Sequence, residues 1–255
     1  MKKLSVIKIG GNVIDNPEAL ERFLERFSSI PGAKILVHGG GAIATRILPR
    51  LGIEPKMIDG RRVTDADTLK VVTAVYAGLI NKQIVASLQK YSCNAAGLSG
   101  ADFGAITCRK RPATPVDYGY VGDLDMVNPE AFDLLLKAGV TPVVCAINHD
   151  GAGTLLNTNA DTIATGIAVA MSPLYDTDLI FCFEKDGVLR DKDDDSSLIS
   201  YIDRPLFEEL KSDGSVSAGM LPKLQNAFAA IGSGVRSVII KNSENLLELK
   251  GTTIR

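Results

Sequence analysis

Short apolar runs alternate along the chain with longer stretches whose apolar residues recur every three or four positions. The run at 4–9 stops at Gly10 and Gly11, the mark of a buried strand followed by a tight turn. Asn16 and Pro17 open an amphipathic helix with Leu20, Phe23, Leu24 and Phe27 on one side. Ile35, Leu36 and Val37 repeat the strand pattern and lead into His38 and three glycines, with a helix through Ile43, Ile47 and Leu51 beyond. Residues 65–91 predict one long helical region with Leu69, Val72, Tyr76, Leu79, Ile80, Ile84 and Leu88 on its buried side. The runs at 143–147, 179–183 and 238–240 predict further strands, and 161–171 and 224–231 further helices. This alternation predicts a mostly parallel sheet covered by helices on both faces. Residues 105–124 break it and predict hairpin-like β structure. A reset near Ser172 and Pro173 predicts a seam between an N-terminal lobe (1–172) and a C-terminal lobe (173–255).

Composition narrows the chemistry. Of 255 residues, 45% are hydrophobic and 23% charged, the balance of a globular chain. A net charge of −2 provides no broad basic field for nucleic acid, and 5% aromatics without Trp provide no base-stacking platform. No uninterrupted apolar run approaches the roughly 20 residues of a membrane span. Lys8 interrupts the first run before a leader core forms, so neither a membrane nor an export signal is expected. Cys93, Cys108, Cys145 and Cys182 are scattered without a CxxC pair, which predicts free buried thiols in a reducing cytoplasm. The acidic run at 191–195 reads as a solvated loop, with a metal site the lesser alternative.

Four segments carry chemistry. Lys8 sits on a buried strand before Gly10 and Gly11, a costly place for an ammonium unless it meets an anion that glycine N–H groups can approach. His38 to Ala42 is a glycine turn feeding a helix N-terminus, an anion site by geometry, with His38 itself structural. Asn157, Asn159 and Asp161 precede an apolar helix; one caps it, and the rest make a substrate clamp. Lys223 lies at the start of a late helix, where its charge opposes the helix dipole and a phosphate partner accounts for it.

The order KIGGN at 8–12, HGGGA at 38–42, GRRVT at 60–64, NTNAD at 157–161 and GMLPK at 219–223 resembles the amino-acid kinase family over essentially the whole chain. GLSGAD at 97–102, YVG at 120–122 and the final Gly251 to Ile254 fit the same resemblance. It implies an α/β fold, a three-layer αβα sandwich with a mainly parallel open sheet. It also implies ATP, with Mg²⁺ carried by the nucleotide. The acceptor implied is the side-chain carboxylate of an N-acyl-L-glutamate: N-acetyl-L-glutamate in arginine biosynthesis, with N-succinyl-L-glutamate as the alternative. The N-terminal lobe would bind this substrate and dimerise, and the C-terminal lobe would bind ATP. Lys8 and Lys223 would stabilise the transferring phosphoryl group, with Asp161 holding both. Gly40, Gly41, Arg62, Asn157 and Asn159 match substrate-binding positions. Gly10, Gly11, Glu184, Gly187, Val188, Leu189, Ser215, Val216 and Ser217 match nucleotide positions. Family members inhibited by arginine carry an extra N-terminal helix; here the first strand begins at Leu4, which implies a homodimer insensitive to arginine.

Two departures stand out. Phe183 and Glu184 replace the Ser/Thr-Asp pair usual before the glycine at 187. Arg61 adds a charge beside Arg62, which raises the succinyl alternative. The competing readings are another kinase of the family, a non-catalytic nucleotide-binding regulator, and a dehydrogenase using 38–42 for NAD. The last lacks the ribose-binding acid.

Overall fold

The apolar runs assemble into one eight-stranded sheet. In the computed structural model, which describes residues 1–191, 193–212 and 220–255, its strands are β1 Lys3–Ile9, β2 Ala33–His38, β3 Ala95–Leu98, β4 Thr141–Cys145, β5 Asp176–Phe183, β6 Tyr201–Ile202, β7 Ser237–Asn242 and β8 Thr252–Ile254. Ser215, Val216, Ser217 and Gly219 fall outside the described residues. The spatial order is β6-β8-β7-β5-β1-β2-β4-β3. Every neighbouring pair is parallel except β7 with β8. The sheet is continuous across the seam expected near residue 172, since β1 lies between β2 and β5.

The helices are α1 Gly11–Asp15, α2 Pro17–Ser28, α3 Gly41–Ile47, α4 Ala66–Lys90, α5 Pro129–Lys137, α6 Ala160–Met171, α7 Arg204–Ser212 and α8 Leu221–Gly232. They cover both faces because strand side chains alternate. Leu4, Val6, Ile35, Val37 and Leu179 share one core with α6 and α8. Ile7, Ile9, Leu36 and Cys182 share the other with α2 and α4. The same alternation puts Lys8 two positions beyond Val6 on the α6 face, where it is only 9% exposed. Lys34 is also buried; its ammonium donates to the carbonyls of Ser28 and Ile30, both at 2.7 Å, and so closes the C-terminus of α2.

A second sheet joins Leu155–Asn157, Ile147–His149, Ile106–Lys110 and Gly122–Val127. The β structure expected at 105–124 is its antiparallel core, extended to Val127. The single strand expected at 143–147 is two. The Ala146 carbonyl accepts from Thr158 N–H at 3.0 Å, and the chain passes from β4 into the second sheet there.

Two expectations about helices are corrected. The helix expected through Leu51 ends at Ile47, because Pro49 cannot continue the hydrogen-bond ladder. A 3-10 turn follows and leaves Leu51 60% exposed. Leu79, expected on the buried side of α4, is 45% exposed. The buried residues Val72, Tyr76, Ile80, Ile84 and Leu88 repeat every four positions, which drifts about 40° per step around an ordinary α-helix. A π-helical stretch, Ala74–Ile80, absorbs that drift and turns Leu79 outward. Among the described residues α4 alone has the length and mean hydropathy, 1.4, of a spanning helix. Charged and polar residues interrupt its sequence, and one stripe of the helix packs into the core.

Candidate active site

In a parallel sheet, ligands bind beyond the C-terminal strand ends where neighbouring connections diverge. Here that point is the end of β1, flanked by the ends of β2 and β5. A cleft of about 980 Å³ opens above it, and α6, α8 and the second sheet wall it in.

Three charges meet at the floor of this cleft. Lys8 Nζ lies 2.7 Å from Asp161 Oδ1, with the lysine side chain 11% exposed and the aspartate 37%. Asp161 is held at the first turn of α6. Asn159 caps that helix, its side-chain oxygen accepting from the N–H groups of Asp161 at 2.8 Å and Thr162 at 3.0 Å. Lys223, in the first turn of α8, rests on the Phe183 ring, its Nζ 4.0 Å from the centroid. By area Lys223 is exposed to the cleft. Even so, desolvation by the cleft walls is the largest influence on its ammonium and lowers its pKa below the ordinary lysine value, with Lys8 adding to the effect and Asp161 opposing it.

The opposite wall presents a guanidinium. Arg62 is 7% exposed, on a short hairpin strand, Arg61–Arg62, paired with Met57–Ile58. Its Nη2 donates to the Gly41 carbonyl at 2.9 Å and to Thr45 Oγ1 at 2.6 Å. Its Nη1 is buried without a protein partner. A buried charged donor left open is costly, and an acceptor entering the cleft, such as a carboxylate, would satisfy it. Gly40 makes the pocket possible: a Cβ there would stand 2.4 Å from Ile80 Cδ1 and 2.7 Å from the Tyr76 ring. Asn157 is buried and donates to Thr64 Oγ1 at 3.0 Å.

His38 is fully buried, with Nδ1 2.7 Å from the Gly39 carbonyl and Nε2 3.0 Å from the Asn81 amide. The Asn81 amide also donates to the Val143 carbonyl. Nδ1 therefore carries the proton and Nε2 accepts. Burial pushes the His38 pKa down to about 4. The ring is a neutral structural strut, as expected.

Gly40, Gly41, Arg62, Asn157, Asn159, Asp161 and Lys223 thus line one cleft, and Lys8 joins them through Asp161. Gly10 spends its N–H on the Cys182 carbonyl at 2.9 Å, while Gly11 opens α1. The Glu184 carboxylate accepts from the Asn12 amide, tying the ends of β5 and β1 together. Gly187, Val188 and Leu189 stand outside the lining of the cleft. Gly187 is packed against Thr252, whose hydroxyl accepts from Val188 N–H at 2.8 Å, and Leu189 pairs with Leu198. Thr45, Thr64 and Tyr76 are site residues that sequence reasoning missed; their roles come from contacts far along the chain. All four cysteines are buried and free.

Residues 3–242 match the amino acid kinase family. The chain belongs to that family. It is 56% identical over 250 residues to a protein of Cytophaga hutchinsonii named acetylglutamate kinase, covering 98% of this chain and 95% of that one. A protein of the same name from Bacteroides thetaiotaomicron is 51% identical over 254 residues, covering 100% of this chain and 99% of the other. The fold also matches N-acetylglutamate synthase from Neisseria gonorrhoeae, solved with coenzyme A and N-acetyl-glutamate. There the TM-score is 0.81 and the identity 21%, over 99% of this chain and 59% of that one. The family match and the mainly parallel, helix-covered sheet agree with the fold that the motif order implies.

Proposed function

We propose that this chain transfers the γ-phosphoryl group of ATP to the side-chain carboxylate of N-acetyl-L-glutamate, in arginine biosynthesis. The products are ADP and the acyl phosphate, N-acetyl-L-glutamyl 5-phosphate. The observation that carries this reading is the cluster of Lys8, Asp161 and Lys223 on the floor of the cleft whose wall presents the open Nη1 of Arg62. The names of the two relatives support the choice of acceptor.

The chemistry suits these residues. A glutamate side chain, with a reference pKa of about 4.3, is already ionised at neutral pH, so its oxygen attacks phosphorus without a general base. The neutral, buried His38 agrees with that. Phosphoryl transfer then needs positioning and charge neutralisation. Arg62, Gly41 and Asn157 would hold the amino acid end of the substrate, while Lys8 and Lys223 would face the equatorial oxygens. Asp161 holds Lys8 in place and offsets one of the two positive charges before substrate arrives. Mg²⁺ would arrive on the triphosphate and supply Lewis-acid neutralisation of its oxygens. Among the described residues no three His, Cys, Asp or Glu side chains stand together as a separate metal centre.

The acetyl substrate is favoured over the succinyl alternative. Arg61 is exposed, and its charge already acts on Asp123, whose carboxyl is held below the usual range first by Arg111 and then by Arg61. The assignment of substrate to 1–172 and nucleotide to 173–255, a cytoplasmic location, and a homodimer through the outward face of α4 complete the proposal. Light scattering reports the last.

The test is ³¹P NMR of the protein with Mg-ATP and N-acetyl-L-glutamate. An acyl phosphate resonance growing with ADP, and absent when N-acetyl-L-glutamine replaces the substrate, supports the reading. ATP binding without transfer to any carboxylate points to the regulator instead.

A further inference from the structure

Phe183 ends β5 on the face that also carries Lys8, and its ring contacts both ammonium groups of the site. Lys223 Nζ lies 4.0 Å from the ring centroid and Lys8 Nζ 5.4 Å. The ring is itself fixed. Phe181 stacks on it with centroids 6.1 Å apart and planes 14° from parallel, and a Cβ on Gly10 would stand 3.7 Å from its Cδ1. Lys8 has the Asp161 carboxylate as its partner, whereas Lys223 makes no ion pair among the described residues. The one carboxylate here pairs with Lys8 and acts on Lys223 only through its field.

We propose that Phe183 is a positioning residue: its ring face holds Lys223 beside Lys8 and poised over the cleft until substrate arrives. The face of an aromatic ring is electron-rich and attracts an ammonium. A second carboxylate would hold Lys223 as well, but it would also repel the incoming phosphate oxygens. The ring carries no net charge, so it restrains the lysine without that repulsion. The proposal rests on the reading that Lys223 serves phosphoryl transfer.

The first readout needs no turnover. In protein labelled with ¹³C-lysine, the Lys223 ε-methylene resonance, assigned with Lys223→Arg, lies upfield of the other lysines through the ring current of Phe183. It returns to the ordinary position in Phe183→Leu. A wild-type resonance at the ordinary position overturns the proposal. An upfield resonance in a protein that fails to phosphorylate any carboxylate leaves the ring contact standing and removes the functional reading instead.

The second readout is kinetic. Phe183→Leu keeps similar bulk without the ring face and lowers kcat about tenfold, or ~1.4 kcal/mol, while KM for N-acetyl-L-glutamate stays within twofold. The charged groups facing Lys223 are Lys8 on β1 and Asp161 on α6. With the ring gone, less favours the ammonium, so the alkaline limb of kcat/KM for ATP moves to lower pH. Phe183→Tyr retains the ring and recovers most of the rate. A leucine variant with kcat within twofold and an unmoved alkaline limb overturns the proposal, as does a tyrosine variant that falls as far as the leucine one.

Discussion

At the scale of single residues, the site works by leaving selected groups unsatisfied. Arg62 is the clearest case, with Nη2 committed to Gly41 and Thr45 and Nη1 open. Lysine cannot reproduce this fork. Arg62→Lys therefore raises KM for N-acetyl-L-glutamate by about 10- to 100-fold, the worth of a hydrogen bond to a charged group. KM for ATP stays unchanged; a parallel rise in both would contradict the assignment of Arg62 to the acceptor. His38 makes a prediction of opposite kind. Its folded pKa, about 4, lies below the unfolded value of 6.5. The unfolded chain therefore binds the proton first, and stability falls as pH drops from 6.5 towards 4. Between pH 7 and pH 5 the loss from this group is about 2 kcal/mol. Urea denaturation at the two pH values measures it, and His38→Gln flattens the difference. Lys8 and Asp161 were legible as candidates because glycines or capping residues lie beside them in the sequence, whereas Arg62 was legible only through the resemblance that GRRVT carries, since an arginine in a polar loop has no such local signal. Tyr76 and Thr64 were not, because what they contact lies far along the chain, as Thr64 does from Asn157.

At the scale of elements, caps and turns aim those residues. Asn159 was expected in a substrate clamp; it lines the cleft, and its side-chain oxygen Oδ1 is spent capping α6 and thereby fixing Asp161. Asn159→Ala removes the cap at a cost of about 1 kcal/mol, which lowers Tm by roughly 2–4 °C in a chain of this size. It also lowers kcat, because Asp161 loses its anchor. A variant with lower Tm and unaltered kcat would confine Asn159 to stability. β3, β6, β8, α5 and α7 were not expected, whereas the five central strands β1, β2, β4, β5 and β7 and the helices α2, α4, α6 and α8 followed from the pattern of apolar positions, since buried faces impose it directly. The π stretch in α4 did not, because the same four-residue repeat is compatible with a continuous α-helix until the helix must stay against the sheet.

At the scale of the molecule, the two lobes expected from the seam near residue 172 share one sheet, with β1 from one and β5 from the other as neighbours. Lys8 and Phe181 are register partners across that boundary, so the end of the cleft proposed to face the phosphoryl group lies where the two expected lobes meet. Parallel order and covered faces were readable from the alternation of elements. The second sheet was readable only in its hairpin, because its other strands are three residues each and carry little periodic signal. The central claim is that Lys8, held by Asp161, neutralises the group in flight. The most direct measurement is the single-turnover rate of phosphoryl transfer to N-acetyl-L-glutamate in Lys8→Ala, with ATP affinity measured on the same protein. The account predicts a rate at least ~100-fold below wild type, about 2.7 kcal/mol, with ATP affinity changed by less than about threefold. A transfer rate within threefold of wild type would contradict it.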